Sequence, residues 1–167
     1  MNNKMQLQRS IRTWIAVFII ALVLSGVTAF ALETELGWLH RVSGDLNSVL
    51  AAWIEKVYIA IHQTNANYPF LAYGYDWLAF AHLVIAVAFI GPLIDPVRNK
   101  WIIQFGMIAC CMVFPLAFIA GGVRGIPFYW KLIDCSFGLI GLIPLYIVYR
   151  KIKKLEIVQH LKQPLFY

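Results

Sequence analysis

The stretch WIIQFGMIACCMVFPLAFIAG, residues 101–121, decides the fold class, because it runs for 21 residues without Asp, Glu, Lys, Arg or His. About 20 mostly apolar residues are enough for a helix to cross the hydrocarbon core of a bilayer. Similar apolar runs occupy residues 13–32, 77–94 and 130–149. The whole chain is 61% hydrophobic and 13% charged, whereas soluble domains carry about 25% charged residues. The sequence therefore excludes a soluble or disordered protein and predicts four transmembrane helices.

The first apolar run also has features of a secretory signal peptide. Lys4, Arg9 and Arg12 precede it, and Ala29-Phe30-Ala31 has the small-x-small pattern of a cleavage site. The apolar core of a signal peptide, however, spans only about 7–15 residues. Because this run is longer, we predict that it is an uncleaved membrane span.

The distribution of Lys and Arg predicts the orientation. Ten of the 14 basic residues fall on the side of the two termini and four on the opposite side. The ten are Lys4, Arg9, Arg12, Arg98, Lys100, Arg150, Lys151, Lys153, Lys154 and Lys162, and the four are Arg41, Lys56, Arg124 and Lys131. Cytoplasmic loops carry the excess of positive charge in membrane proteins. We therefore predict a bacterial-type inner-membrane protein with both termini in the cytoplasm. This placement also explains the net charge of +6 without a nucleic-acid partner.

The connection 33–76 predicts an additional helix outside the membrane. Its apolar residues recur at helical spacing: Leu46, Val49, Leu50, Trp53, Val57, Ala60 and Ile61. Ser43 or Asp45 is the predicted N-cap, and residues 63–75 are a predicted loop. The sequence thus predicts one all-α membrane domain over residues 1–167. Its parts are an antiparallel four-helix bundle, an extracytoplasmic amphipathic surface helix and a basic tail, 150–167.

Stripes of small residues indicate which helix faces pack closely, because such residues let backbones approach within a membrane. The stripe in the first span contains Ala21, Ser25 and Ala29. The stripe in the third span runs through Gly106, Cys110, Val113, Ala117 and Gly121, and the fourth span contributes Gly138 and Gly141. The three cysteines lie in apolar runs and form no C-x-x-C motif. They therefore indicate packing rather than a disulfide framework or a zinc site.

A layer of polar side chains is predicted near the outer ends of the spans. At 1.5 Å per residue, His82 lies roughly 7.5 Å below Trp77, and Asp134 lies roughly 6 Å below Trp130. Thr28 is at a similar depth, and Arg124 follows the third span in a glycine-rich loop. Ionisable residues within a span are costly and normally have a partner. We expect Asp134 to contact Arg124 or His82, directly or through one water.

Two interpretations of this layer are open. In the first, Asp134 and Arg124 form a bridge that fixes the outer loop, and His82 bonds a neighbouring helix. In the second, the residues form a pocket for a quinone, a lipid head group or another anion. A metal held by His82 with His40 or His62 is disfavoured, because no H-x-x-x-H or H-E-x-x-H spacing occurs. A haem held by two histidines within the spans is disfavoured as well, since His82 is the one histidine inside a span.

The sequence contains no G-x-S-x-G, P-loop or G-x-G-x-x-G motif, and catalytic residues and cofactors stay unassigned. The favoured function is a subunit or accessory factor of a membrane assembly, which contacts lipid and either other membrane chains or itself. The alternative is an outer-leaflet ligand-binding protein or small membrane enzyme that uses His82, Arg124, Asp134 and Thr28.

Overall fold

Helices make up almost all of the computed structural model, which describes residues 2–43 and 48–160. The helices are α1 Asn2–Phe30, α2 Leu32–Ser43, α3 Val49–Asn67, α4 Tyr73–Ala88, α5 Ile90–Ile94, α6 Lys100–Val123 and α7 Phe128–His160. A 3-10 turn occupies Pro69–Ala72. These described residues contain no β-strand, so the all-helical prediction is confirmed for them.

Four helical segments are long and apolar enough to cross a membrane: Lys4–Phe30, Pro69–Ile94, Lys100–Val123 and Phe128–Val158. Each contains most of one predicted span. The last segment extends past the predicted span, because α7 continues into the basic residues of the predicted tail, as far as His160. Lys, Arg and Glu lose little rotamer freedom in a helix, so charge alone does not end α7 at residue 149. Lys162 lies outside the described residues.

The connection between the first two spans is more helical than predicted. α2 was not predicted, and the predicted loop 63–75 is wrong, because it contains the end of α3, the 3-10 turn and the start of α4. The side chains of Asn67 and Asn65 explain part of this difference: Asn67 donates a hydrogen bond to the Gln63 carbonyl, and Asn65 bonds Glu33. Both asparagines are therefore held inside a helix rather than in a turn.

The N-cap of α3 also differs from the prediction. The Ser48 hydroxyl accepts a hydrogen bond from the backbone N–H of Ala51 at 3.1 Å. Ser43 instead ends α2, is buried, and donates its hydroxyl to the His40 carbonyl. Asp45, the other predicted cap, and Leu46 lie outside the described residues.

The chain divides into two compact units. The first contains Met1–Ile20 and Val87–Tyr167, and its centre is the antiparallel pair α6 and α7. Successive contacts along this pair are Gly106 with Leu145, the Cys110 carbonyl with Gly138, and Gly121 with Lys131. The N-terminal half of α1 adds the fully buried residues Ile11 and Ile15, and α6 and α7 supply Ile103, Leu145, Val148 and Ile152.

The second unit, Ala21–Ala86, contains the rest of α1 together with α2, α3 and most of α4. Gly26 of α1 is buried, and a methyl group there would lie 2.9 Å from the Ala79 carbonyl. Gly37 of α2 packs in the same way against the ring of Tyr58 on α3. Small residues therefore set the close contacts in this unit as well.

Candidate functional site

Asp134 lies in an open groove between α6 and α7. It is the seventh residue of α7, roughly 9 Å from the first one at 1.5 Å per residue, and it is half-buried. The groove has a volume of about 290 Å³. Its other lining residues are Val113, Leu116, Ala117, Ala120, Gly121, Arg124 and Ile126. Apart from Arg124, they are all apolar, so a half-buried carboxylate lies in an apolar groove.

The groove exists because α6 presents small residues opposite Asp134. Ala117, Ala120 and Gly121 have little or no side chain, so they leave space beside Asp134. Farther along α7 the two helices touch, since a methyl group at Gly138 would lie 2.7 Å from the Cys110 carbonyl oxygen. The third-span stripe predicted from the sequence therefore provides both the close helix contact and the open space beside Asp134.

Arg124 supplies a positive charge at the rim of the same groove. It caps the C-terminus of α6, where its backbone N–H donates to the Ala120 carbonyl at 2.9 Å, and its side chain is exposed. Within the described residues, no ion pair within 4.0 Å joins the Asp134 carboxylate to Arg124 or Lys131. The structure thus brings Asp134 and Arg124 to one groove without pairing them.

The other two predicted site residues, His82 and Thr28, belong to the second unit. The Nδ1–H of His82 donates to the Leu78 carbonyl at 2.8 Å, and the Thr28 hydroxyl donates to the Ser25 carbonyl at 3.3 Å. Each of these side chains bonds the backbone of its own helix. The contact of Asp134 with His82 stays a prediction.

A second polar cluster, which the sequence reasoning missed, joins α2, α3 and α4. One oxygen of Glu33 accepts from Nδ1 of His62 at 2.7 Å, and the other accepts from the Asn65 side chain at 2.6 Å. The hydroxyl of Tyr75 donates to the side-chain amide oxygen (Oδ1) of Asn65 at 2.9 Å. We call these four residues the Glu33 network. Both carboxylate oxygens have donors, so the network ties the three helices together.

An aromatic stack extends the Glu33 network along α3. The Tyr58 ring lies between His40 and His62, with centroid distances of 5.1 and 5.8 Å. The hydrogen bond from Asn65, and then the bond from His62, lower the pKa of Glu33 below its ordinary value of 4.5. Within the part of the chain that the structure describes, no group of three His, Cys, Asp or Glu side chains is placed to hold a metal ion.

The Glu33 network has only a weak signal in the sequence. His62 and Glu33 are 29 residues apart, and the helix that presents Glu33 was not predicted. The spacing of His62, Asn65 and Glu55 on α3 fits a solvated helix face equally well. A prediction would have required recognising Leu32–Ser43 as a helix, for which the acidic residues Glu33 and Glu35 in its first turn are a weak indication.

No protein-family model, curated protein or solved structure matches the chain. The two polar arrangements differ in what they offer a binding partner. The hydrogen-bonding groups of the Glu33 carboxylate are used within the chain, whereas the Asp134 carboxylate faces a groove.

Proposed function

We propose that the chain is a non-catalytic subunit of an integral membrane assembly, and that it binds a second copy of itself through the groove beside Asp134. One observation carries this proposal. A carboxylate lies two turns into a membrane-spanning helix, in an open apolar groove, with no cation paired to it among the described residues. Ionisable residues at such positions are costly and normally mark a contact with a partner.

The charges of the groove favour a second copy as the partner. Asp134 lies on its wall and Arg124 at its rim, so the surface carries one charge of each sign. In a two-fold interface the same surface is used twice, and residue i of one copy meets residue j of the other. Asp134 of each copy would then pair with Arg124 of the other, which gives two charge-assisted contacts. Ala120 and Gly121 allow close approach of the helices.

The topology that belongs to this proposal is an antiparallel four-helix bundle in a bacterial-type inner membrane with both termini in the cytoplasm. The distribution of ten basic residues against four supports that orientation. The groove then lies in the outer half of the bilayer. α3 is the amphipathic helix on the outer surface, where it lies in or near the head-group layer.

Complementary charge reversal tests the interface. Asp134→Arg and Arg124→Asp are made singly, and each chain is reconstituted in lipid with donor and acceptor fluorophores. The wild type should associate. Each single variant should associate at least tenfold less well, because both contacts become repulsive. A mixture of the two variants should regain association, because every reversed residue then meets its opposite charge on the other copy.

Glu55→Arg and Lys56→Asp provide the matched control. Both residues are exposed on α3, and the substitutions change the net charge by the same amounts. They should leave association unchanged. The proposal would be contradicted if the wild type were monomeric, or if the charge reversals at Asp134 and Arg124 left association unchanged. A quinone or phospholipid that copurifies with the monomer and is lost with Asp134→Asn would favour the ligand-binding alternative with His82, Arg124 and Thr28.

A further inference from the structure

A second groove runs along the C-terminal part of α7. It has a volume of about 240 Å³ and is lined by Tyr146, Ile147, Arg150, Lys151 and Lys154. Successive members of this set are one or three positions apart along α7, so they lie on one side of the helix. Along this face, an apolar portion at Tyr146 and Ile147 leads to a portion with three positive charges. We call this surface the basic groove.

Two of the three cations are held in place by hydrogen bonds. Arg150 donates to the Tyr146 hydroxyl at 3.0 Å and lies 5.8 Å from the centre of the same ring. Lys151 donates to the Ser10 hydroxyl on α1. The partners in these hydrogen bonds are neutral, so both side chains keep their positive charge. The bonds also restrict the conformations of the two side chains before a ligand binds, which lowers the entropy cost of binding.

No carboxylate in the described part of the chain lines the basic groove. Glu156, which follows Lys154 by two residues, is engaged by Lys100 at 2.7 Å. Glu156, the carboxylate that could pair with these cations, is therefore paired with Lys100 instead. Three uncompensated positive charges on one helix face form a site for an anion that accepts several hydrogen bonds, such as a phosphate.

We propose that the basic groove binds an anionic phospholipid, with its phosphate at Arg150, Lys151 and Lys154. The arrangement along α7 favours a lipid over a free phosphate. Tyr146 and Ile147 belong to the apolar run 130–149, and the three basic residues follow that run, so Tyr146 and Ile147 cover the apolar part of a ligand whose phosphate reaches the basic residues. Basic residues that follow directly on a transmembrane helix attract anionic lipids. This inference is independent of the proposed self-association, because it uses a different surface.

Native mass spectrometry of the full chain in detergent tests the site. Dioleoylphosphatidylglycerol and dioleoylphosphatidylcholine are added at equal concentrations, and the bound fraction is measured. The wild type should bind phosphatidylglycerol more tightly. Replacing Arg150, Lys151 and Lys154 together by Gln should weaken its binding about a hundredfold, since each basic residue near the surface contributes about fivefold.

A second triple variant, Arg9→Gln, Arg98→Gln and Lys153→Gln, is the matched control. It removes the same charge from exposed residues that do not line the groove, and it should weaken binding less than tenfold. Lys154→Gln alone, at an exposed residue, gives a fivefold loss if the triple variant does not fold. Equal losses for the two triples, or no preference for phosphatidylglycerol, would overturn the proposal. Displacement of the lipid by millimolar inorganic phosphate would do so too, because the groove would then be a site for soluble phosphate.

Discussion

Glu33 and Asp134 are two carboxylates in contrasting surroundings. Glu33 lies outside the helical segments that are long and apolar enough to cross a membrane, and each of its oxygens accepts a hydrogen bond. Asp134 lies within such a segment, and no ion pair holds it among the described residues. Glu33 thus has the greater number of partners, although an unpaired charge costs more at Asp134, within an apolar helix.

This contrast separates a structural role from a binding role. A carboxylate whose oxygens are satisfied within the chain stabilises the chain and has little left to offer a partner. A carboxylate held in an apolar groove gains the most when a partner brings a cation to it. Substitutions at Glu33 should therefore change local stability, and substitutions at Asp134 should change association.

Gly138→Leu is expected to have the largest effect, because it removes the structural basis of the groove. Its Cβ would lie 2.7 Å from the Cys110 carbonyl oxygen, so α6 and α7 must separate. We expect a loss of about 3 kcal/mol in unfolding free energy, measured by denaturation in mixed micelles, together with loss of association. Gly74→Leu is the control, since nothing lies within 4 Å of a Cβ there. A Gly138→Leu chain with wild-type stability would show that α6 and α7 do not pack closely.

Asp134→Leu should change membrane insertion and association in opposite directions. Removing a carboxylate from a membrane span favours insertion by about 2 kcal/mol, which an insertion assay on the α7 segment would measure. Association between fluorophore-labelled chains should fall, because Arg124 of the other copy loses its partner. A Leu variant that still associates fully would mean that apolar packing alone forms the interface.

Acid should dissociate the Glu33 network. The pKa of folded Glu33 is below 4.5, so its contribution to stability is fully present above that value and is lost as the pH falls through the lowered pKa. Amide hydrogen exchange in α2 and α3 should therefore become several-fold faster in this acidic range. Glu33→Gln should exchange faster already at neutral pH and lose the acidic step. A step of the same size in Glu33→Gln would assign it to another group.

Tyr75→Phe tests a single bond of the network and should have the smallest effect. It removes the hydroxyl that donates to Asn65 at 2.9 Å and leaves the ring in place. We expect a loss of about 1 kcal/mol, measured as the change in unfolding free energy. Tyr73→Phe at a neighbouring exposed residue should be neutral. Neither variant should change association through the groove beside Asp134, because the Glu33 network and the groove are separate regions.

Side-chain patterns predicted part of the packing correctly. The stripe of small residues on the third span does face α7, as the contacts of Gly106, Cys110 and Gly121 show. The stripe on the first span was less informative, because Ala21 and Ser25 are exposed whereas Gly26 is buried. A stripe shows that a close approach is sterically allowed, but the neighbouring helix decides which small residue is used.

The sequence by itself determined the four helices that are long and apolar enough to cross a membrane, since they depend on runs of residues that are local in the chain. It also pointed to Asp134 and Arg124, because charged residues next to or within such runs are conspicuous. Only the tertiary structure brought Glu33 to His62 and Asn65, and only the packing of α6 on α7 opened the groove beside Asp134. Those features depend on contacts between residues that are distant in the chain. Their geometry is set by helix packing, which hydrophobic periodicity does not encode.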